Sequence, residues 1–208
     1  MPPPYCYDYP RPAVTVDLVA FSLAGDQLRV ALVKRKHEPF AGRWAVPGGF
    51  LEIDEPIESA ARRELREETG LVLAGHSEFI GVFGNPGRDP RGRTISLAHA
   101  AAVRPPAPEV IGADDAAEAA WLDPANSKDL AFDHDAILDT ALRWLGRNLA
   151  EGTIGLALLP EEFTDQDVRN LHRAVTGSAR SALPWRRRMQ RNQRIIALDP
   201  PETRFRVV

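Results

Sequence analysis

The amino-acid sequence predicts an α/β protein in two parts: strands and helices over residues 1–150, then a small helical unit closed by a hairpin over residues 151–208. Three observations carry this. Apolar residues alternate loosely from Val14 to Leu23 and return from Leu28 to Lys34, on either side of the turn residues Ala24-Gly25-Asp26-Gln27, as in a β-hairpin. A run of good helix formers spans Ile57–Thr69 and stops at Gly70, which suits a left-handed cap. Charge then divides the chain: residues 1–150 hold 16 basic and 22 acidic residues, a net of −6, whereas residues 151–208 hold 10 and 7, a net of +3.

Composition narrows the class further. A chain of 208 residues with 44% apolar content can bury a core and is not of disordered composition. The single cysteine, Cys6, permits no internal disulfide and suits a reducing compartment. No apolar run is long enough for a bilayer, and Met1-Pro2-Pro3-Pro4 lacks the basic start and apolar centre of a signal peptide. The expectation is a soluble, cytoplasmic protein with no membrane partner.

The densest chemistry lies in Gly49–Leu71, GFLEIDEPIESAARRELREETGL. Residues three and four apart share a helix face, so Glu64, Glu67 and Glu68 converge, and like charges so placed repel unless a cation sits among them. Oxygen ligands of this kind suit Mg²⁺ or Mn²⁺. Ala60, Ala61 and Leu65 supply the inward face. The spacing Gly49, five residues, Glu55, seven residues, Arg63-Glu64-Leu65, one residue, Glu67-Glu68, one residue, Gly70-Leu71 resembles a complete Nudix box. That resemblance implies a Nudix α/β/α sandwich with a mixed sheet. It makes Glu64 and Glu68 the principal metal ligands, Glu67 a further ligand or water-positioning carboxylate, and Gly48 the donor of a backbone carbonyl to the metal. It pairs Arg63 with Glu55 to hold the loop on the helix. Asp54 departs from the pattern, since many members have Gly there, but every charged position is filled.

The flanking segments supply candidate substrate contacts. Lys34-Arg35-Lys36 leads into Gly42-Arg43-Trp44-Ala45-Val46-Pro47-Gly48-Gly49, and Arg35 and Arg43 are candidates to neutralise phosphates. Strands are expected at Phe79–Phe83 and Thr94–Val103, and between them lies a Gly- and Pro-rich loop carrying Arg88, Arg91 and Arg93. Forked guanidinium hydrogen bonds suit a diphosphate, and this loop resembles that of Nudix proteins tied to ADP-ribose and NAD metabolism. An acidic loop before Ala120-Trp121-Leu122 offers Asp114, Asp115 and Glu118 as general bases, with no choice made among them. Asp133 is read as the N-cap of a helix with Ile137, Leu138, Ala141, Leu142, Leu145 and Leu149 inward. His37, His76, His99, His134 and His172 lack metal-ligand spacing and are assigned solvated or core roles.

In the tail, Thr153–Leu159 reads as a strand or docking linker. Thr164 and Asp167 form a capping-box pattern opening a helix that ends at Gly177; Ser181 is placed to cap a second helix reaching about Asn192, with Ala182, Trp185 and Met189 inward. Ile195–Leu198 and Phe205–Val208 form a terminal hairpin across Asp199-Pro200-Pro201-Glu202. This is the outline of a winged helix-turn-helix. Six arginines and no acid lie between Arg180 and Arg194, making Arg180, Arg186, Arg187, Arg188 and Arg191 candidates to contact DNA phosphates. The order of parts resembles the Nudix-related transcriptional regulators of NAD metabolism. Two departures matter: the box is intact, whereas some of those regulators have degenerate boxes, and the wing is short without a Gly/Arg-rich tip. The resemblance implies hydrolysis of ADP-ribose or a related nucleoside diphosphate derivative, a homodimer, and double-stranded DNA as partner. A non-catalytic ADP-ribose-sensing repressor and a housekeeping hydrolase whose tail only dimerises are the alternatives.

Overall fold

The computed structural model describes residues 7–113, 115–151, 153–198 and 204–208. Cys6, the candidate base Asp114 and the hairpin turn at 199–202 lie outside them.

The first strands are β1 (Ala13–Ala24) and β2 (Gln27–Arg35), joined by the expected turn, followed by the short β3 (Trp44–Ala45) and β4 (Gly48–Phe50). Helix α1 (Ile57–Thr69) ends at Gly70, whose φ of 74° is the left-handed cap that its lack of a Cβ allows. Then come β5 (Ser77–Phe83), β6 (Thr94–Ala102), β7 (Ala116–Leu122) and helix α2 (His134–Glu151). The main sheet has the order β3-β2-β1-β6-β5, with β4 also on β1 and β7 on β2. It is mixed: β1 and β6 run parallel from Ala13 opposite Thr94 to Phe21 opposite Ala102, and the other pairings are antiparallel.

Strand β1 is buried on both faces because helices cover both. Val16, Leu18 and Ala20 pack with Ala60, Ala61 and Leu65 of α1, while Val19, Phe21 and Leu23 share a second cluster with Ile137, Ala141 and Leu145 of α2. Strand periodicity of two assigns alternate residues to each helix. Each fully buried Leu or Phe contributes roughly 1.5–3 kcal/mol.

The tail comprises α3 (Thr153–Ala157), β8 (Glu162–Thr164), α4 (Asp165–Thr176), α5 (Ala182–Arg191), β9 (Ile195–Ala197) and β10 (Arg204–Val207). A second sheet has the order β8-β10-β9, with antiparallel pairings. Thr164 caps α4 through a complete capping box with Asp167, and Gly177 ends it at φ 72°. Phe163, Val168, Leu171, Trp185, Met189 and Phe205 join the α2 side of the core, so a single apolar cluster runs from the main sheet into the tail.

Two local expectations are corrected. Thr153–Ala157 is a short helix, not a strand: Gly155 lets it approach α2 and α5 so closely that a Cβ there would stand 2.8 Å from Leu149 and 2.9 Å from Trp185. A short apolar run does not reveal its period. Asp133 does precede α2, its carbonyl accepting the Ala136 N–H at 2.9 Å, and its carboxylate accepts from both Nε and Nη2 of Arg88. Ser181 precedes α5 without capping it, because its hydroxyl bonds to His172 Nδ1 at 3.1 Å.

Candidate functional site

Glu64, Glu67 and Glu68 of α1 face a cleft of about 460 Å³ between the helix, the β3–β4 connection and the loop after β5. Two glycines allow the loop this close to β1 on one side and to the helix on the other. A Cβ on Gly48 would strike the backbone of Val16 and Asp17, and one on Gly49 would collide with the Glu64 carboxylate.

Arg63 is the centre of the charged network. Its Nη2 and Nε donate to Glu55 at 2.6 and 3.1 Å, its Nη1 to Glu64 at 2.8 Å and Glu67 at 3.0 Å, and its Nη2 also to the Phe50 carbonyl at 3.2 Å. This ties the 50–55 loop to α1, the pairing the sequence suggests. Those bonds hold the Glu55 carboxyl below the usual range. Glu68 lies beyond the guanidinium's reach; it is mostly buried and accepts the Gly48 N–H at 3.0 Å. Burial is the main cause that pushes its carboxyl up to about 8, with the charges of Glu64 and Asp17 adding to it. Glu64 is raised for the same leading reason.

Among the described residues, no three acidic or histidine side chains are already gathered as a metal cage, since Arg63 draws Glu64 and Glu67 toward itself. The donor chemistry nevertheless fits a hard divalent cation. Glu64 and Glu68 are adjacent oxygen donors whose burial opposes ionisation, and a cation reverses that penalty.

The arginine candidates separate. Arg35 and Arg91 line the cleft, Arg91 bound to Asp89 at 2.7 Å and Arg35 donating, among the described residues, to the carbonyls of Pro39 and His37. Arg88 lines it too, but its side chain is 4% exposed and committed to Asp133. Arg43 lies over Phe40 outside the cleft lining, and Arg93 donates to the Gly84 carbonyl, also outside it. Among the candidate bases, Asp115 lines the cleft, whereas Glu118 is turned onto Lys34 at 3.5 Å because it sits on β7 paired to β2.

Sequence reasoning missed Asp17, Asp89 and Phe132. Asp17 is buried on β1 and accepts from Ser96; the signal was a lone acid inside an apolar strand. His134, read only as solvated or core, is a cleft residue that accepts the Val46 N–H at Nδ1 (3.0 Å), leaving the proton on Nε2, 3.7 Å from Asp17. Burial lowers its pKa and keeps it neutral near pH 7.

In the tail, Arg180, Arg187 and Arg191 are exposed and Arg188 donates to the Ala150 carbonyl. Arg186 does not belong with them. It is 8% exposed, donates to Asp165 at 2.9 Å and lies 4.5 Å over the Phe205 ring. Its helical position turns it toward the second sheet.

A carboxylate-bearing helix docked by a Gly-Gly loop onto a mixed sheet between helical layers defines the Nudix class of α/β sandwich. Residues 12–145 match the NUDIX domain, and the chain belongs to that family. The ADPR responsive transcriptional repressor NtrR of Acinetobacter baylyi is 34% identical over 185 residues, covering 88% of this chain and 74% of that one. The ADP-ribose pyrophosphatase of Methanocaldococcus jannaschii is 42% identical over 136 residues, covering 65% of this chain and 76% of that one. Among solved structures, Shewanella oneidensis NrtR complexed with a 27mer DNA superposes with a TM-score of 0.79 at 26% identity, covering 94% of this chain and 93% of that one.

Proposed function

We propose that the chain is a divalent-metal-dependent Nudix diphosphatase for ADP-ribose or a related nucleoside diphosphate derivative, coupled to DNA binding by residues 151–208. The observation that carries the reading is the joint presence in one cleft of Glu64 and Glu68 on a shared helix face and of Arg35, a cation with no carboxylate partner among the described residues. The repressor likeness over 88% of the chain supports the coupling.

In this reading Glu64 and Glu68, aided by Glu67 and the Gly48 backbone, hold Mg²⁺ or Mn²⁺. When bound, the metal neutralises diphosphate charge and lowers the pKa of water. Arg63 keeps the 50–55 loop on α1, so that Glu55 and the glutamates stay in register. Arg35 and Arg91 receive phosphate oxygens, and Asp115 takes the proton of the attacking water. Attack at phosphorus releases AMP and ribose 5-phosphate. Residues 1–150 form the ligand-binding unit. The tail serves as a winged helix-turn-helix, with α5 the reading helix and Arg180, Arg187, Arg188 and Arg191 on DNA phosphates of a two-fold site bound by a cytoplasmic homodimer.

A second reading, a sensor that binds ADP-ribose without cleaving it, is favoured by the guanidinium already seated between Glu64 and Glu67. Incubating the protein with ADP-ribose and Mg²⁺ and following AMP by chromatography, with Glu68→Gln as control, separates the two. AMP formed only by the wild type supports the enzyme; bound ADP-ribose without AMP supports the sensor. Retardation of a promoter fragment that survives loss of Arg187 and Arg191 would remove the reading-helix assignment.

A further inference from the structure

Where α2 begins, three consecutive residues each hold a different part of the cleft. Asp133 holds Arg88, His134 holds the Val46 N–H, and Phe132 carries guanidiniums on its ring. Arg35 lies 4.8 Å and Arg91 5.6 Å from the centre of that ring, Arg91 standing between it and the Phe50 ring at 5.4 Å. Phe132 also meets Phe40 edge-on at 4.9 Å and His134 at 5.3 Å, so the ring is fixed from two sides. Phe132 and Phe40 both stand in the left-handed region, at φ 55° and 66°. Bulky residues seldom adopt that conformation, and it persists where surrounding contacts impose it, commonly at ligand sites.

The arrangement opposes charge repulsion. Two guanidiniums are drawn toward one ring although each raises the cost of the other's charge, and Arg35 is accordingly held below its ordinary pKa, first by burial and next by Arg91. Asp89 pairs directly with Arg91, and its charge reaches Arg35 only as a lesser influence. The cleft therefore keeps two answered pairs, Arg88–Asp133 and Arg91–Asp89, beside Arg35, which has no carboxylate of its own within ion-pair distance among the described residues.

We propose that Phe132 is the positioning residue of this cleft, its ring holding the Arg35 and Arg91 guanidiniums side by side to receive the two phosphates of a diphosphate. This rests on the substrate reading above and deepens it. Phe132 makes no bond in the reaction. It acts through Arg35, whose guanidinium without the ring would relax toward solvent.

The test uses the full chain as wild type, Phe132→Leu, Phe132→Met, Phe132→Tyr, Arg35→Ala and the Phe132→Leu/Arg35→Ala double variant. ADP-ribose hydrolysis is followed kinetically with Mg²⁺, inorganic pyrophosphate binding by calorimetry, and folding by thermal melting. Phe132→Leu is expected to raise KM and weaken pyrophosphate binding about tenfold, the scale of a partly desolvated cation–π contact, with kcat within about threefold. Phe132→Tyr restores both. Arg35→Ala adds little in the Phe132→Leu background, since the ring acts through that arginine. Additive losses, unchanged KM in folded Phe132→Leu or Phe132→Met, or failure of Tyr to rescue would overturn the proposal. Should wild type turn over no ADP-ribose while pyrophosphate binding still depends on the ring, the substrate reading falls and the positioning role stands. Wild type that binds neither ligand overturns both.

Discussion

Replacing Glu68 by Gln should make the folded protein less sensitive to rising pH when no divalent cation is present. Burial holds the Glu68 carboxyl at about 8, against 4.5 for the unperturbed group. The folded state therefore keeps a proton that the unfolded chain releases. The stability this group allows is complete below pH 4.5 and declines as pH rises, until the folded carboxyl itself ionises near 8. Each pH step within that window is worth about 1.4 kcal/mol, so the full loss is on the order of 5 kcal/mol. Gln keeps the shape and still accepts the Gly48 N–H, but has nothing to ionise. The assay is urea unfolding of both proteins in chelator at pH 5, 6, 7 and 8. With a slope of about 2 kcal/mol per molar urea, the midpoint of Glu68→Gln should exceed that of wild type by roughly 1–2 M more at pH 8 than at pH 5. Parallel profiles would show that Glu68 is solvated in the folded state, and with it would go the argument that a cation is needed to ionise the site.

The remaining expectations concern other parts of the molecule. Burial holds His99, His134 and His172 below the ordinary histidine value; the unfolded chain takes up these protons first, so stability is full above about pH 6.5 and falls below it. Melting temperatures at pH 7.5, 6.5 and 5.5 measure this, and a rise toward acid pH in the Glu68→Gln protein would contradict it. Gly49→Ala puts a methyl on the Glu64 carboxylate and should cost only about 1–2 kcal/mol of stability while abolishing most of the rise in melting temperature caused by Mg²⁺; an undiminished Mg²⁺ response would sink the assigned close approach. Arg186→Ala breaks the pair with Asp165 and the contact with Phe205, so it should cost on the order of 2–3 kcal/mol in unfolding experiments. Exposed Arg187→Ala should change stability by no more than about 0.5 kcal/mol, yet weaken DNA binding in fluorescence anisotropy and reduce its salt slope by about one. Equal stability losses would refute the division between them.

What could be read in the chain beforehand follows from how far each signal reaches. Helix α1 was legible to the residue because propensity, amphipathic spacing and the Gly70 stop all act within a few residues, and the α4 capping box is similarly local. The partners of the arginines were not legible, because they lie far along the chain. Arg88 in a Gly- and Pro-rich loop reads the same whether it awaits a phosphate or meets Asp133 across a separation of 45 residues. Arg186 looks like its neighbours Arg187 and Arg188 until a sheet strand from the far end of the tail is laid against it. Phe132 was hidden for another reason. A left-handed backbone is expected at Gly or Asn, so nothing in a phenylalanine announces it; it accompanies the converging contacts of Phe40, Arg35, Arg91 and His134. Local chemistry thus named the glutamates, while the wall that faces them depends on long-range contacts. Substrate discrimination within the family should therefore be sought on that wall and not in the box.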